Sequence, residues 1–185
     1  MGVTSLSDIG KNASGKQENS RIRSLAVFEP PGGKLTQLIS DRIQGLHRNG
    51  ETGFAALVSG APSVRRGLRP DLLVLPVGVD QLEPLPTGTS CGILLVPGST
   101  ADWAAVLSST DIVSYGMSTQ DNVSLSSIDE SCVMLSLQRE LTTLQGSVLE
   151  RQEISVQRPR RMSPEDTMVS ATALLMLGVP PEMLS

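Results

Sequence analysis

Residues 23–48 read RSLAVFEPPGGKLTQLISDRIQGLHR, and the order of elements that they predict decides the fold class. Residues 23–29 have the apolar character of a buried strand, and a proline-glycine turn at 30–34 follows them. The next segment predicts an amphipathic helix over 35–48, because its apolar residues recur at spacings of three and four: Leu35, Leu38, Ile39, Ile43 and Leu46. A short apolar strand, Phe54–Val58, comes next. The stretch therefore predicts a βαβ unit with a parallel sheet.

The turn of this unit has the layout of a phosphate-binding loop. Backbone N–H groups at a helix N-terminus can hold a phosphate, and a lysine beside them neutralises its charge. Lys34 ends the turn, and it is also the last lysine of the chain. An exposed lysine in the first turn of a helix would have the same sequence, so both interpretations stay open. The turn Gly98-Ser99-Thr100 predicts a similar junction, for which an ordinary serine N-cap is the simpler interpretation.

The middle of the chain continues the alternation of strands and helices. Continuous apolar runs predict buried parallel strands at Asp71–Val77 and Gly92–Val96, and a further strand at Asp111–Tyr115. A helix is predicted at about 100–109. Asp80 and Asp111 lie at or beside strand ends, where we expect the ligand edge of the sheet, so they could approach a metal ion there, although such residues more often start or cap loops.

The last part of the chain predicts a different organisation. Two β-rich stretches, 131–140 and 147–157, are joined by six residues and predict a β-hairpin. A final helix begins after Ser163, its predicted N-cap, and ends at Gly178. Its predicted buried stripe consists of Met168, Ala171, Leu174 and Leu175. Residues 1–21 lack periodicity and predict a disordered leader, so we expect a single α/β domain over residues 22–185.

Composition excludes several classes of function. A net charge of −4 gives no basis for nucleic-acid binding, and the basic cluster at 158–161 is short and predicts a solvated turn. A single histidine, His47, disfavours a histidine-based triad or a zinc site. The two cysteines, Cys91 and Cys132, predict buried reduced thiols. Without an apolar run of membrane-spanning length, the sequence predicts a cytoplasmic protein.

The order of these segments resembles the central ATP-binding domain of the Mur ligases, which add amino acids to peptidoglycan precursors, and of the related folylpolyglutamate synthetases. Residues 33–36 (Gly-Lys-Leu-Thr) are similar to the family's Gly-Lys-Thr-Thr loop, and 70–82 to its strand ending in Thr-Asn-Ile-Gly-x-Asp-His-Leu. Residues 111–118 resemble the strand that ends in Tyr/Phe-Gly, and 171–184 the helix that closes the domain. The matches are collinear and cover most of residues 23–185.

Several positions depart from the family's pattern. Leu35 stands where the family has its magnesium-binding hydroxyl, and Pro30 stands where it has the upstream glycine of the loop. The family's asparagine and histidine fall on Pro76 and Gln81, although Asp80 matches. The segment 61–69 carries no acidic residue to match the metal-binding glutamate, and no lysine follows Lys34 to match a carbamylated lysine.

The resemblance implies a P-loop-like three-layer α/β fold with a mainly parallel sheet, a C-terminal β-hairpin and a closing helix. It also implies a phosphate or nucleotide site for ATP with Mg²⁺ at Gly32, Gly33, Lys34, Thr36 and Asp80. We assign no catalytic residue and no metal ligand, because the departures remove the family's metal-binding groups.

Three hypotheses about function follow. The first is a non-catalytic, bacterial Mur-ligase-like pseudoenzyme, an interaction or regulatory module that retains weak nucleotide binding. The second is an active ATP-dependent ligase or nucleotide hydrolase. The third is a structural partner that completes a larger complex through its closing helix or its hairpin edge. The expected partners are another protein or a second copy of this chain, with a nucleotide as small ligand and without nucleic acid or membrane.

Overall fold

The structure, a computed structural model, describes residues 23–29, 33–48, 56–60, 69–78, 90–100 and 111–185. Its first part contains β1 (Arg23–Val27), α1 (Lys34–Arg48), β2 (Ala56–Gly60), β3 (Leu72–Val74), β4 (Ile93–Pro97) and β5 (Asp111–Gly116). The second part contains β6 (Val123–Ile128), β7 (Cys132–Leu137), β8 (Leu141–Thr142), β9 (Val148–Leu149), β10 (Glu153–Gln157), α2 (Pro164–Leu177) and a short 3-10 helix (Pro181–Leu184). The leader predicted over residues 1–21, and the predicted helix at 100–109 beyond its first residue, lie outside the described residues.

Eight of the described strands form one sheet in the order β10-β7-β6-β5-β4-β3-β1-β2. The pairs from β2 to β6 are parallel, and among these eight strands β7 alone runs against the others, since it pairs antiparallel with both β6 and β10. The predicted α/β fold with a mainly parallel sheet is thereby confirmed. Because β1 lies between β2 and β3, the direction in which the chain crosses the sheet reverses between β1 and β3.

Both faces of the central strands are buried, as their continuous apolar runs predict. Alternate residues of β1, β3 and β4 point to opposite faces. One set belongs to the larger core, which includes the apolar stripe of α1 and most of α2. The other set forms a second cluster on the opposite face: Ala26, Phe28, Leu73, Leu75, Leu94 and Val96. Burial on both faces agrees with a three-layer α/β arrangement.

The closing helix α2 is a core element. Its caps are those predicted from the sequence: the Ser163 hydroxyl accepts a hydrogen bond from the Asp166 N–H at 3.0 Å, and Gly178 ends the helix in the left-handed conformation with φ 97°. More residues of α2 are buried than the four of the predicted stripe, because every residue from Thr167 to Leu177 is buried. The apolar residues of α2 therefore pack against other parts of this chain, which argues against α2 as a surface for a partner.

The predicted C-terminal hairpin is confirmed, with more structure than the sequence indicated. Strands β7 and β10 pair antiparallel, and the segment between them contains the small β8–β9 sheet. Strand β6 was not predicted from the sequence, and it pairs with β7 through an irregularity between Leu125 and Ser127. Outward carbonyls of β10 accept hydrogen bonds from Arg42 (Gln157 O, 2.6 Å) and from Ser185 (Ser155 O, 3.4 Å). The edge of the hairpin is thus partly capped by the chain itself.

Candidate functional site

The strand order places the candidate site between the ends of β1 and β3. In open α/β sheets, ligands bind outside the carboxyl ends of strands where the direction of crossing reverses. The residue that follows β1 meets the end of β3 at this point: the Phe28 N–H donates to the carbonyl of Val74, the last residue of β3, at 2.8 Å. Gly33 and Lys34, the described part of the predicted phosphate loop, lie at the start of the helix that follows β1.

The structure describes three of the five predicted site residues. Gly33 precedes α1, and its carbonyl accepts the first helical hydrogen bond, from the Gln37 N–H at 3.3 Å. Lys34 is the first residue of α1 and is exposed. Thr36 lies in the same turn, half-buried, and its Oγ1 has no hydrogen-bond partner in the described part of the chain. Gly32 and Asp80 lie outside the described residues, so the joint site stays a prediction.

A carboxylate that was not predicted from the sequence lies at the start of α1. Glu29 is only 8% exposed, and its Oε1 accepts a hydrogen bond from the Thr36 N–H at 2.6 Å. A Cβ atom built on Gly33 would overlap this carboxylate. The first-turn N–H groups of a helix lack partners within the helix and favour negative charge. Glu29 therefore supplies an anion at the end of α1 where the resemblance places a phosphate.

Leu35, which stands where the resembled enzymes have a magnesium-binding hydroxyl, has a clear structural role. Leu35 is 2% exposed and packs in the larger core with the apolar stripe of α1. Its side chain faces the sheet, so a hydroxyl at this position would be buried in an apolar environment. Thr36 is rotated from Leu35 by one helical residue, about 100°. In the described residues we find no group of three or more His, Cys, Asp or Glu side chains able to hold a metal ion.

A second buried carboxylate lies at the same edge of the sheet. Asp121 is 6% exposed, and its Oδ2 accepts a hydrogen bond from the Ser118 N–H at 3.2 Å. A Cβ atom on Gly98, after β4, or on Gly116, at the end of β5, would overlap this carboxylate. The second glycine turn noted in the sequence thus also packs against a carboxylate of the chain. Its Thr100 hydroxyl donates to the Pro97 carbonyl at 2.9 Å.

Tyr115 fixes the ends of β3 and β5 to each other. Its hydroxyl donates to the Leu75 carbonyl at 2.6 Å, and the ring is 1% exposed. Burial raises the pKa of this phenol, and the negative charge of Asp166 at the start of α2 raises it further. Tyr115 therefore remains neutral and structural at physiological pH.

The remaining sequence candidates lie away from this edge or have structural roles. Asp111 begins β5 and is exposed, so it lies at the amino edge of the sheet, away from the ligand edge, and agrees with the simpler interpretation that it starts an element. Arg158 donates to the carbonyls of Asp129, Glu130 and Met162, whereas Arg160 and Arg161 are exposed. The basic cluster is therefore only partly the solvated turn that we predicted.

The cysteines and the helices bear on two further predictions. Cys91 and Cys132 have reduced thiols, as predicted, but are half-buried rather than buried. Within the ranges that the structure describes, no helix has the length and apolar character needed to cross a membrane.

Comparison with known proteins does not assign the chain to a family. The sequence matches no protein-family model, and the search of curated proteins found no similar chain. The function must therefore be inferred from the residues and the geometry of this chain.

Proposed function

We propose that this chain is a non-catalytic, Mur-ligase-like module that acts through contacts with a protein partner or a second copy of itself. The observation that carries the proposal is the burial of Leu35, the residue that stands where the resembled enzymes have a magnesium-binding hydroxyl. Phosphoryl transfer depends on positioning and on neutralisation of charge by metal ions and basic groups. A core leucine at this position supplies neither.

The charge at the carboxyl edge supports the same proposal. Two buried carboxylates, Glu29 and Asp121, lie against the glycine turns that follow β1 and β4. Negative charge near a phosphate lowers its affinity unless a metal ion or several basic side chains offset it. Lys34 is the exposed cation at the described end of α1, and it favours at most a weak phosphate contact.

An active ATP-dependent ligase or nucleotide hydrolase is the second candidate. It is favoured by the position of Lys34, which begins α1 at the point between β1 and β3 where open α/β sheets bind ligands. The two candidates differ in turnover, since a weak phosphate contact alone produces no hydrolysis.

The test measures ATP binding and ATP turnover on the same samples. Thermal unfolding is followed with and without ATP and Mg²⁺, for wild type, Lys34→Ala and the control Arg151→Ala, which removes an exposed cation far along the chain. A ligand at a hundredfold excess over its Kd would stabilise the native state by about 2.7 kcal/mol. We expect ATP with Mg²⁺ to stabilise the wild type by much less than this, and we expect no release of inorganic phosphate. Turnover that is lost in Lys34→Ala and kept in Arg151→Ala would contradict the proposal.

The partner contact has a separate test. The buried α2 and the capped edge of β10 leave other surfaces for association. Sedimentation of the purified chain over a range of concentrations tests a second copy as the partner. A chain that stays monomeric and captures no protein in its native extract would argue against an interaction module.

A further inference from the structure

We propose that the Glu29 carboxylate is the resident anion of α1 and excludes external phosphate from the helix N-terminus. The inference rests on the proposed absence of catalysis and deepens it, because it names the group that closes the predicted site. Two observations carry it: the hydrogen bond from Thr36 to Glu29, and the overlap of a Gly33 Cβ atom with the same carboxylate.

The N-cap residue of α1 has no side chain with which to cap the helix. Gly33 accepts the first helical hydrogen bond and so holds the N-cap position, but it lacks the side-chain oxygen with which Ser, Thr, Asp or Asn caps a helix. The Thr36 N–H is three residues further on, where an N-cap side chain would normally accept its hydrogen bond. The Glu29 carboxylate, which follows β1, accepts the hydrogen bond from this N–H and so caps the helix in place of an N-cap side chain.

Gly33 is required by the carboxylate and not by the backbone. The described glycines with a positive φ are Gly78, Gly146 and Gly178, so Gly33 has a conformation that other residues adopt. The obstacle to a larger residue is Glu29 itself, whose carboxyl atoms would overlap the added Cβ. A glycine that resembles part of a phosphate loop therefore accommodates an internal anion.

Occupancy by Glu29 excludes a second anion on both steric and electrostatic grounds. A phosphate accepting from the Thr36 N–H would need the space that the carboxylate fills. It would also lie beside a buried negative charge, which is 8% exposed and therefore poorly screened by water. External phosphate at this end of α1 must displace Glu29 from the helix.

The experiment follows the Thr36 backbone amide by NMR in wild type, Glu29→Gln and the control Glu165→Gln. Glu165 is an exposed acid in the first turn of α2, so its replacement removes the same charge at a helix N-terminus. We expect Thr36 hydrogen exchange to accelerate in Glu29→Gln by about five- to tenfold, because glutamine keeps an acceptor oxygen but loses the charge that strengthens the hydrogen bond. Exchange at Thr36 should be unchanged in Glu165→Gln.

Inorganic phosphate supplies the second arm. Titration of the wild type should leave the Thr36 amide resonance unchanged. An unaltered exchange rate in Glu29→Gln, or a Thr36 shift in wild type that saturates with phosphate, would overturn the proposal. Neither result depends on ATP turnover, so this inference can fail while the proposed function stands.

A pair of alanine variants gives an independent measurement if Glu29→Gln folds poorly. Gly33→Ala should lower the melting temperature in the wild-type background, where its Cβ meets the Glu29 carboxylate. In a Glu29→Ala background the same change should be neutral or raise the melting temperature, because the space is then free. Equal effects in both backgrounds would show that Glu29 does not occupy the end of α1.

Discussion

At the scale of single residues, Gly98 and Asp121 provide a direct test of the geometry at the carboxyl edge. Gly98 has no positive φ, so alanine is allowed by the backbone, but its Cβ would overlap the buried Asp121 carboxylate. The Ser118 N–H holds that carboxylate in place. We therefore predict that Gly98→Ala lowers the free energy of unfolding by about 1–3 kcal/mol, the range for overpacking. Denaturant unfolding measures the change.

Removal of the carboxylate should reverse this penalty. The added cost of Gly98→Ala should fall toward zero in an Asp121→Ala background, and an unchanged cost would contradict the contact.

Neither this contact nor that of Glu29 with Gly33 could be predicted from the sequence, because each depends on the path of a turn in three dimensions. The sequence did indicate the glycines themselves and the position of Leu35.

At the scale of elements, a glycine-to-alanine substitution inside α1 should stabilise the protein, the opposite of the effect expected at Gly98. Gly45 lies inside this helix, and a Cβ atom there would meet no atom within 4 Å. Glycine in a helix interior costs about 0.5–1 kcal/mol relative to alanine. We predict that Gly45→Ala stabilises the protein by this amount, measured in the same unfolding assay. A loss of stability would mean that α1 packs differently from the structure.

The elements also show which sequence signals are reliable. The Ser163 and Gly178 caps of α2 depend on neighbouring residues, and the sequence predicted both correctly. Strand β6 was missed because its alternation of apolar and polar residues breaks at two consecutive serines, Ser126 and Ser127, where the bulge between Leu125 and Ser127 shifts the register. A bulge arises from pairing with β7, which local periodicity does not report.

At the scale of the whole molecule, strand order and the position of α2 required the structure. The sequence indicated a mainly parallel sheet, because it alternates predicted strands with helices. It could not indicate that β1 lies between β2 and β3, or that residues from Thr167 to Leu177 are buried on every side. Both properties depend on how distant segments pack, and together they define the candidate site and remove the closing helix as a partner surface.

The buried phenol of Tyr115 makes the stability of the whole molecule sensitive to alkaline pH. In the folded state its pKa is raised, first by burial and then by the charge of Asp166, above the value of about 10 that it takes in an unfolded chain. As the pH rises past about 10, the unfolded chain therefore releases a proton that the native protein keeps. The free energy of unfolding should fall with a slope of about 1.4 kcal/mol per pH unit from this group.

The chain has one tyrosine, so phenolate absorbance reports Tyr115 alone. We predict that phenolate appears together with the loss of circular dichroism in an alkaline titration, since Tyr115 ionises only when the sheet opens. Tyr115→Phe is the control: it should reduce the slope above pH about 10 while costing about 1–3 kcal/mol at neutral pH, because the buried Leu75 carbonyl loses its donor. Phenolate that forms near its ordinary pKa while the circular dichroism stays native would show that the ring is accessible to water. The hydrogen bond from Tyr115 to Leu75 would then not join the ends of β3 and β5 as the structure has it.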